Sequence, residues 1–339
     1  MTIRIRGAGL QTTVQDLGRP NHLRQAVPGG GAMDRVACRV ANLLAGNEDG
    51  AAVLEATLIG PSIEFLTPTL LAITGGDLSP MLDDRAIPNW HAVLAARGSI
   101  LRFGKAKAGC RAYIAFGGGI DVPLVFGSRS TYLRAAFGGV EGRALRGDDV
   151  LCVGAPDALT QHIAESIPAD GAAPGIARWS AGATLRPHYS AAPVVRLIEG
   201  THTSLLTAES RETLFNASFR VSASSDRMGY RLEATGGSAL ALERPVELLS
   251  EAVTFGTMQL PPGGAPIVLM ADRQTTGGYP RIGEVASVDL PLVAQLKPGD
   301  SVRFQPVSLD DAQSEYLVHE AELAQARAGI AWQFMRGRK

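Results

Sequence analysis

GCRAYI, at residues 109–114, has the composition of a buried strand and recurs in outline as GAPIVL at residues 264–269. A glycine-rich loop follows each copy, at residues 117–119 in the first and at residues 277–278 in the second. Each half also contains a Gly-Asp pair that leads into an apolar segment, at residues 147–148 and 299–300. The two strand-like segments are 155 residues apart, and the two Gly-Asp pairs are 152 residues apart. Landmarks that recur in the same order at similar offsets predict a duplicated domain.

The boundaries of the two halves are indicated by composition. Residues 156–192 are rich in alanine, proline and glycine, so we interpret them as a connection. This interpretation places an N-terminal domain at residues 1–155, a C-terminal domain at residues 193–306, and a helix with a tail at residues 307–339. A chain of 339 residues has the length of two domains of ~150 residues each.

Between turn signals the chain has short, strand-like segments, which favour barrels or sandwiches over a layout of alternating strands and helices. The segments are Ser62–Leu66, Leu70–Thr74, Arg111–Phe116, Val194–Ile198, Phe219–Ala223, Ala239–Leu242, Ile267–Ala271 and Val302–Gln305.

Two segments have the apolar spacing of helices. Residues 33–45 carry an apolar stripe and are followed by Gly46, a residue that commonly ends helices. Residues 309–328 follow Ser308, which we predict to cap the helix, and Gly329 is the predicted stop.

Charge and composition exclude several classes of function. With 32 basic and 33 acidic side chains, the net charge of −1 disfavours a nucleic-acid or anionic-membrane binder. No apolar stretch approaches the ~18 residues that a membrane helix needs, and the N-terminus lacks the apolar core of a signal peptide. The expected location is therefore the cytoplasm.

Cysteine and histidine spacing gives no metal or disulfide pattern. The three cysteines, Cys38, Cys110 and Cys152, are far apart, and the six histidines form neither an HxH nor an HExxH motif. No Walker A loop, GxSxG motif or strand-associated GxGxxG motif is present. We expect no metal site built on these motifs, and whether a metal takes part in the function stays open.

The densest polar cluster is the stretch Asp272–Pro280, directly after the apolar segment Ile267–Ala271. Because functional sites are often built on loops at strand ends, this stretch is the leading candidate site, with a plain exposed loop as the alternative. Its candidate catalytic residues are Asp272 and Arg273. The candidate substrate- or anion-binding residues within it are Gln274, Thr275, Thr276 and Tyr279.

A second polar stretch of the C-terminal half, Ser225–Gly229, also follows a strand-like segment. Asp226 and Arg227 are its candidate catalytic residues, or the stretch is a turn with a local salt bridge. Because loops at one end of a barrel can converge, we expect it to line a shared cleft with Asp272–Pro280.

Two polar or glycine-rich stretches of the N-terminal half are weaker candidates. In the stretch Gly127–Thr131, residues Ser128, Arg129 and Ser130 are candidate anion-binding residues. The alternative is that the stretch is a turn followed by a capping hydroxyl. The glycines at residues 29–31 precede the first helix, where backbone N–H groups can hold an anion, but a plain turn is favoured.

Together these stretches strongly resemble the KipA family, also called allophanate hydrolase subunit 2 or the biotin-dependent carboxyltransferase A/B family. The resemblance covers about residues 3–306. It rests on VQDLGR (14–19), GGAMD (30–34), AN (41–42), GN (46–47), LE (54–55), GSRST (127–131), FGG (137–139), GR (142–143), SDRMG (225–229), DRQTTGGYP (272–280) and PGD (298–300).

The resemblance implies a mainly β fold of two tandem cyclophilin-like β-barrel domains with a few helices. It also implies partners, because family members work with a KipI-like protein (PxpB) and, in 5-oxoprolinase, also with a LamB/YcsF-like protein (PxpA). That complex opens the lactam of 5-oxo-L-proline to L-glutamate, with ATP as co-substrate. Such chemistry needs cationic donors around phosphates and a carboxylate that handles protons. Arg129, Arg227 and Arg273 are candidates for the first role, and Asp226 and Asp272 for the second.

Two other activities occur among related proteins. One is carboxyl transfer from carboxybiotin, as in urea carboxylase, but this chain has no Met-Lys-Met biotin-attachment site, so the biotin would be carried elsewhere. The other is regulatory, with a KipA-type protein antagonising the kinase inhibitor KipI. In the enzyme interpretation, the chain is expected to be inactive without its partners.

Overall fold

The computed structural model describes residues 1–168, 174–236 and 239–335, and the chain divides into two compact units. Unit 1 comprises Met1–Gly18, Asp34–Pro187 and the residues from Glu320 onward, and unit 2 comprises Arg19–Met33 and His188–His319.

Among the described residues of unit 1 are helices α1 (Arg35–Leu44) and α2 (Ala158–Ser166) and the first strands of the chain. These strands are β1 (Thr2–Gly7), β2 (Gln11–Gln15), β3 (Val53–Thr57), β4 (Ser62–Phe65), β5 (Thr69–Asp77), β6 (Pro80–Leu82), β7 (Arg85–Ala86), β8 (His91–Ala95), β9 (Ile100–Phe103), β10 (Ala108–Phe116), β11 (Val150–Cys152) and β12 (Gly175–Ser180).

Unit 2 contains helices α3 (Ala208–Asn216) and α4 (Leu290–Ala294) and the remaining strands. These strands are β13 (Val194–Glu199), β14 (Phe219–Val221), β15 (Gly229–Ala234), β16 (Glu251–Ala252), β17 (Thr257–Gln259), β18 (Ile267–Leu269), β19 (Thr276–Gly277), β20 (Arg281–Val285) and β21 (Ser301–Pro306). Helix α5 (Leu309–Met335) follows, and its residues from Glu320 onward group with unit 1. Short 3-10 turns occur at Pro20–Gln25, Leu133–Ala135, Ala183–Leu185, Thr203–Leu205 and Ser287–Asp289.

The strands of unit 1 form two six-stranded sheets, in the orders β11-β1-β4-β9-β6-β7 and β12-β8-β5-β10-β3-β2. Alternate apolar side chains of both sheets, such as Ile3, Phe65 and Ile114, enter one shared core because successive strand residues point to opposite faces. Helix α1 packs against β5 and β10. Its first turn is capped by the Asp34 carboxylate, which accepts a hydrogen bond from the backbone N–H of Ala37 at 2.9 Å.

Unit 2 is a closed barrel with the strand order β13-β20-β17-β18-β15-β14-β21. Neighbouring strands are antiparallel, except that β13 and β21 close the barrel in parallel. Met258, Val268 and Phe304 are among the buried side chains that fill it. A two-stranded ribbon of β16 and β19 lies outside the barrel ring.

The prediction of a mainly β fold with a few helices is confirmed. The repeated segments lie in β10 and at β18, and the Gly-Asp pairs directly precede or adjoin β11 and β21. The ring is closed in unit 2, whereas the described strands of unit 1 form two sheets over one core. Ser308 caps α5 as predicted, since its Oγ accepts from the N–H of Asp311 at 3.1 Å and donates to the Asp311 carboxylate.

The proposed domain boundaries differ from the observed units in two places. Residues 156–187 belong to unit 1 because β12 adds to its second sheet by pairing with β8, although residues 169–173 lie outside the described residues. Residues 19–33 belong to unit 2 because Met33 enters its core and the Gly30 N–H donates to the Ala271 carbonyl at 3.1 Å. A loop of the N-terminal sequence therefore completes the C-terminal barrel.

Two local predictions are wrong. Helix α5 continues through Gly329 to Met335, because a single glycine only weakens a helix and does not break its hydrogen bonds. The described residues Ala239–Leu242 are not a strand, and their ladder is limited to one isolated bridge between Leu242 and Leu206.

Candidate functional site

The two polar loops of unit 2 meet at the end of β18. The Asp272 N–H donates to the Arg227 carbonyl at 2.8 Å, and the Met270 N–H donates to the Met228 carbonyl at 2.9 Å. These backbone bonds extend the pairing of β15 with β18 beyond the strands themselves. The Ser225–Gly229 and Asp272–Pro280 stretches therefore start from one place, as expected for two loops at one end of a barrel.

An ion pair joins the side chains at this point. Arg227 donates from Nε to Asp272 Oδ2 at 2.9 Å and from Nη2 to Asp272 Oδ1 at 3.0 Å. Both residues are buried, with 8% and 5% of their surface exposed. A planar guanidinium that meets both carboxylate oxygens fixes the orientation of each partner. Because both Asp272 oxygens accept from Arg227, this carboxylate suits a positioning role better than proton transfer.

Arg227 also holds the glycine-rich loop of residues 29–31. Its Nη2 donates to the Gly31 carbonyl at 2.6 Å, and the Gly30 N–H donates to the Ala271 carbonyl at 3.1 Å. Gly30 has φ +62° and Gly31 has φ +91°, in the left-handed region that favours glycine. The predicted plain turn is thus a loop fixed to the ion pair.

Arg19 was not singled out as a site residue, although it stands in the VQDLGR motif. Its side chain is 1% exposed, and a Cβ placed on Gly30 would lie 3.0 Å from Arg19 Nη1 and 3.8 Å from Asp272 Oδ1. The Arg19 guanidinium and the Asp272 carboxylate therefore lie against the same glycine. A second buried guanidinium thus joins the site from the N-terminal sequence.

Arg273 is buried as well, with 8% of its surface exposed, and its Nε donates to the Val253 carbonyl at 3.4 Å. The following residues run along the ribbon: Gln274 Nε2 donates to Gln259 Oε1 at 3.4 Å, and the Thr275 carbonyl accepts from the Val253 N–H at 3.1 Å. Thr276 and Tyr279 are exposed at the ribbon and beyond it. The stretch thus leads from a buried charged end to an exposed polar end.

Asp226 is separate from the ion pair. Its Oδ1 accepts from the backbone N–H groups of Met228 at 2.8 Å and Gly229 at 3.3 Å. An aspartate that bonds the backbone two residues ahead stabilises a turn. The turn interpretation of Asp226 therefore describes its observed contacts, whereas the side chain of Arg227 reaches Asp272.

In unit 1, Ser128 and Ser130 surround an anion that belongs to the chain itself. Asp16 Oδ1 accepts from the hydroxyls of Ser128 at 2.6 Å and Ser130 at 2.5 Å, and Asp16 Oδ2 accepts from the Arg129 N–H at 2.6 Å. The hydroxyls of Ser128 and Ser130 are therefore engaged by a carboxylate of the same chain. The Arg129 guanidinium is half-buried and contacts the Val122 carbonyl and Asp121.

Glu284, on β20, is a carboxyl that the sequence analysis missed. It is half-buried, and Thr254 Oγ1 donates a hydrogen bond to its Oε1. Burial raises the pKa of Glu284 above its ordinary value of 4.5, against the opposing effects of hydrogen bonds from Thr254 and Thr257 and the charges of Arg273 and Arg281. No local motif marks this residue, since the partners that define it come from β17 and two loops.

The described residues hold no cluster of three or more histidine, cysteine or carboxylate side chains suited to a metal ion. Within the same residues, no helix combines the length and apolarity needed to cross a membrane.

Comparison with known proteins identifies the family. The profile of the carboxyltransferase domain, subdomain A and B, matches residues 25–306. The chain belongs to this family. The match starts before the glycine loop and includes Arg227, Asp272 and Glu284, so most of the site lies within the carboxyltransferase A and B domain.

Two bacterial proteins, each the C subunit of a 5-oxoprolinase, are similar over nearly their whole length. The protein from Haemophilus influenzae is 35% identical over 322 residues, which cover 94% of this chain and 95% of that protein. The protein from Escherichia coli is 36% identical over 311 residues, covering 91% and 93%.

A solved structure shares the carboxyltransferase A and B fold. The crystal structure of the K. lactis urea amidolyase matches with a TM-score of 0.85 and 31% identity over 96% of this chain. This chain spans 20% of that much longer protein.

Proposed function

We propose that this chain is the C subunit (PxpC) of an ATP-hydrolysing 5-oxoprolinase and contributes to the ring opening of 5-oxo-L-proline to L-glutamate. The observation that carries the proposal is the similarity, over more than nine-tenths of each chain, to two proteins named as the C subunit of 5-oxoprolinase. Shared length matters here because a domain embedded in a larger enzyme is compatible with several activities, whereas a matching whole chain favours a matching role.

The site in unit 2 has chemistry that suits this reaction. A lactam carbonyl is a poor electrophile, and transfer of phosphate from ATP to its oxygen makes the ring carbon open to attack by water. Arg19, Arg227 and Arg273 place guanidinium groups around the end of β18, and guanidinium groups bind phosphate and carboxylate oxygens well. We assign these arginines to anion binding, with ATP as a co-substrate of the complex.

The polar end of the Asp272–Pro280 stretch provides the remaining candidate contacts. Gln274, Thr275, Thr276 and Tyr279 carry amide, hydroxyl and phenol groups along the ribbon and beyond it. We propose that they contact the substrate or its carboxylate. Asp272 acts by holding Arg227 in place.

The proposed partners are a KipI-like protein (PxpB) and a LamB/YcsF-like protein (PxpA). Support comes from the relatives' names, which describe one component of a multi-subunit enzyme. We expect the isolated chain to have little activity, and the complex to function in the cytoplasm.

A carboxyltransferase role is the second candidate. It is favoured by the close structural match to a urea amidolyase and by the family to which the chain belongs. In that role the chain would receive a carboxyl group from biotin attached to another protein. It ranks second because the match covers a fifth of that enzyme, against 95% and 93% of the two bacterial subunits.

Reconstitution tests the proposal. This chain, the PxpA protein and the PxpB protein are purified and assayed singly and in every combination for glutamate release from 5-oxoproline with ATP. We expect full activity with all three proteins and little without this chain. Turnover by this chain alone would contradict the partnership, and an inactive three-protein complex would contradict the function.

The same preparations discriminate between the two candidates. Each is incubated with urea, bicarbonate, ATP and a biotin carboxylase that carries biotin. ATP-dependent carboxylation of urea, without glutamate release from 5-oxoproline in the first assay, would favour the carboxyltransferase role.

A further inference from the structure

Glu284 occupies a defined polar setting on the barrel wall of unit 2. It lies on β20, directly opposite Thr257 of β17. Thr254 Oγ1 donates to the Glu284 carboxylate, and the Thr254 N–H and hydroxyl both contact Thr257 Oγ1, at 2.9 Å and 3.1 Å. Two hydroxyl groups therefore hold one end of this carboxyl in a fixed orientation.

A short chain of contacts links this setting to the arginine site. Arg273 Nε donates to the Val253 carbonyl, and Val253 directly precedes Thr254, whose hydroxyl is bonded to Glu284. Arg273 in turn follows Asp272, the partner of Arg227. Arg273 and Glu284 therefore contact adjacent residues of the loop between β16 and β17, which places the Glu284 carboxyl beside one of the proposed anion-binding arginines.

The other charged groups around Glu284 are mostly engaged elsewhere. Arg281, on the same strand, pairs with Glu251 of the ribbon strand β16, and its backbone N–H donates to His202 Nδ1 at 3.2 Å. On the neighbouring strand β13, Glu199 pairs with Arg211 at 2.6 Å. Arg273 and Arg281 provide the positive charge that favours the ionised form of Glu284.

Despite these groups, the pKa of Glu284 is raised, because the loss of hydration on burial outweighs the hydroxyl groups and both arginines. A carboxyl that keeps its proton at a higher pH is better suited to donate it near neutrality. Asp272, with both oxygens on Arg227, has no comparable freedom.

We propose that Glu284, and not Asp272, is the carboxyl that donates a proton to the substrate during ring opening, an inference that rests on the function proposed above. Once the phosphate from ATP is on the lactam oxygen, water adds to the ring carbon, and one proton of that water passes to the ring nitrogen. As the carbon–nitrogen bond then breaks, its electron pair passes to nitrogen, which takes the proton of Glu284, while the new hydroxyl loses its proton to solvent and the carbon becomes an acyl phosphate. A second water hydrolyses the acyl phosphate to the glutamate side-chain carboxylate and phosphate, and the Glu284 carboxylate regains a proton from solvent.

The test is Glu284→Gln in the complex of all three proteins. Glutamine retains the acceptor oxygen for Thr254 but cannot donate an acidic proton. We expect kcat to fall by about 100-fold or more, the usual contribution of a general acid, with little change in KM. Wild-type kcat should decline as pH rises through the pKa of Glu284, and the variant should lack that decline.

The matched control is Glu233→Gln, the same chemical change at an exposed glutamate of β15 that pairs with Arg220 of β14. This control variant should keep the kcat and the pH profile of wild type. Gel filtration verifies that each variant assembles. Carbon-13 NMR of the isolated chain, labelled at glutamate carboxyl carbons and assigned with the Glu284→Gln variant, measures the titration directly.

Three outcomes would overturn the proposal. If Glu284→Gln turns over within a few-fold of an active wild type, Glu284 is not the proton donor, and the proposed function is unaffected. If the NMR titration gives Glu284 an ordinary glutamate pKa, the proposal is contradicted without any activity measurement. A wild-type complex with no oxoprolinase activity would instead remove the proposed function, and this inference with it.

Discussion

Asp16 of unit 1 and Asp272 of unit 2 are both buried, and their carboxylates are stabilised in opposite ways. In unit 1, Asp16 accepts from two serine hydroxyls and from the backbone N–H groups of Arg129 and Gly18. All of these donors are uncharged. In unit 2, Asp272 accepts from the two nitrogens of one guanidinium, that of Arg227.

The neutral donors around Asp16 and the charged donor on Asp272 indicate two different roles for these carboxylates. The neutral donors of unit 1 tie residues far apart in sequence around one carboxylate, so the arrangement is structural. In unit 2 the partner of Asp272 is a cation that also fixes the Gly31 carbonyl, next to further buried guanidinium groups. A fixed, buried cation is the feature from which an anion-binding site is built.

The largest effect is expected for Asp272→Ala. Removal of one partner of a buried ion pair leaves the other charged and poorly hydrated, which costs about 3–5 kcal/mol. We therefore expect the free energy of unfolding, measured by urea denaturation, to fall by about that amount. The reconstituted complex should also lose activity, because Arg227 no longer has a fixed orientation.

A double-mutant cycle distinguishes the pair from its surroundings. If the Arg227–Asp272 interaction is the cause, Arg227→Met combined with Asp272→Ala should lose less stability than the two single changes together. Strictly additive losses would show that the two side chains do not interact in solution.

A smaller effect is expected for Asp16→Asn. The amide presents one acceptor oxygen, so at least one donor among the Ser128 and Ser130 hydroxyls and the Arg129 N–H loses its partner. An unsatisfied buried group costs about 1–3 kcal/mol. Thermal and urea unfolding measure the loss. A loss as large as that of Asp272→Ala would contradict the distinction between neutral and charged donors.

Gly30→Ala should cost less again, about 1–2 kcal/mol, because an alanine at φ +62° adopts a left-handed conformation. Gly299→Ala is the matched control, since Gly299 has φ +92° and the added carbon meets none of the described atoms within 4 Å. At Gly30 the added carbon meets Arg19 Nη1. Only Gly30→Ala should therefore also weaken activity of the complex. Equal activity of the two variants would show that the glycine loop does not contribute to the site.

Local sequence patterns predicted most of the proposed strand segments, though not the irregular Ala239–Leu242, and the meeting of the two unit 2 loops. Hydrophobic periodicity and turn residues depend on neighbours in the chain, and those neighbours are visible in the sequence. The patterns did not predict that residues 19–33 complete the second unit, or that Ser128 and Ser130 close around Asp16, more than 100 positions away. Glu284 was missed for the same reason. Its hydroxyl partners are defined by strand register, which one isolated strand sequence does not contain.

The smallest expected effect is the pH dependence that Glu284 adds to stability. Its pKa is raised in the folded chain, so above pH 4.5 the folded state keeps a proton that the unfolded state has lost. Unfolding then releases a proton, and a rise in pH favours unfolding. The contribution of Glu284 is therefore fully present below pH 4.5 and is lost as pH rises through the folded pKa.

Urea denaturation of wild type and Glu284→Gln across this range checks the sign. The free energy of unfolding of wild type should decline relative to that of the variant as pH rises, because glutamine does not titrate. Glu233→Gln, at the exposed pair on β15, should run parallel to wild type. If the Glu284→Gln curve also runs parallel to that of wild type, burial does not disfavour the ionised form of Glu284. Glu284 would then have no advantage over the paired Asp272 as a proton donor.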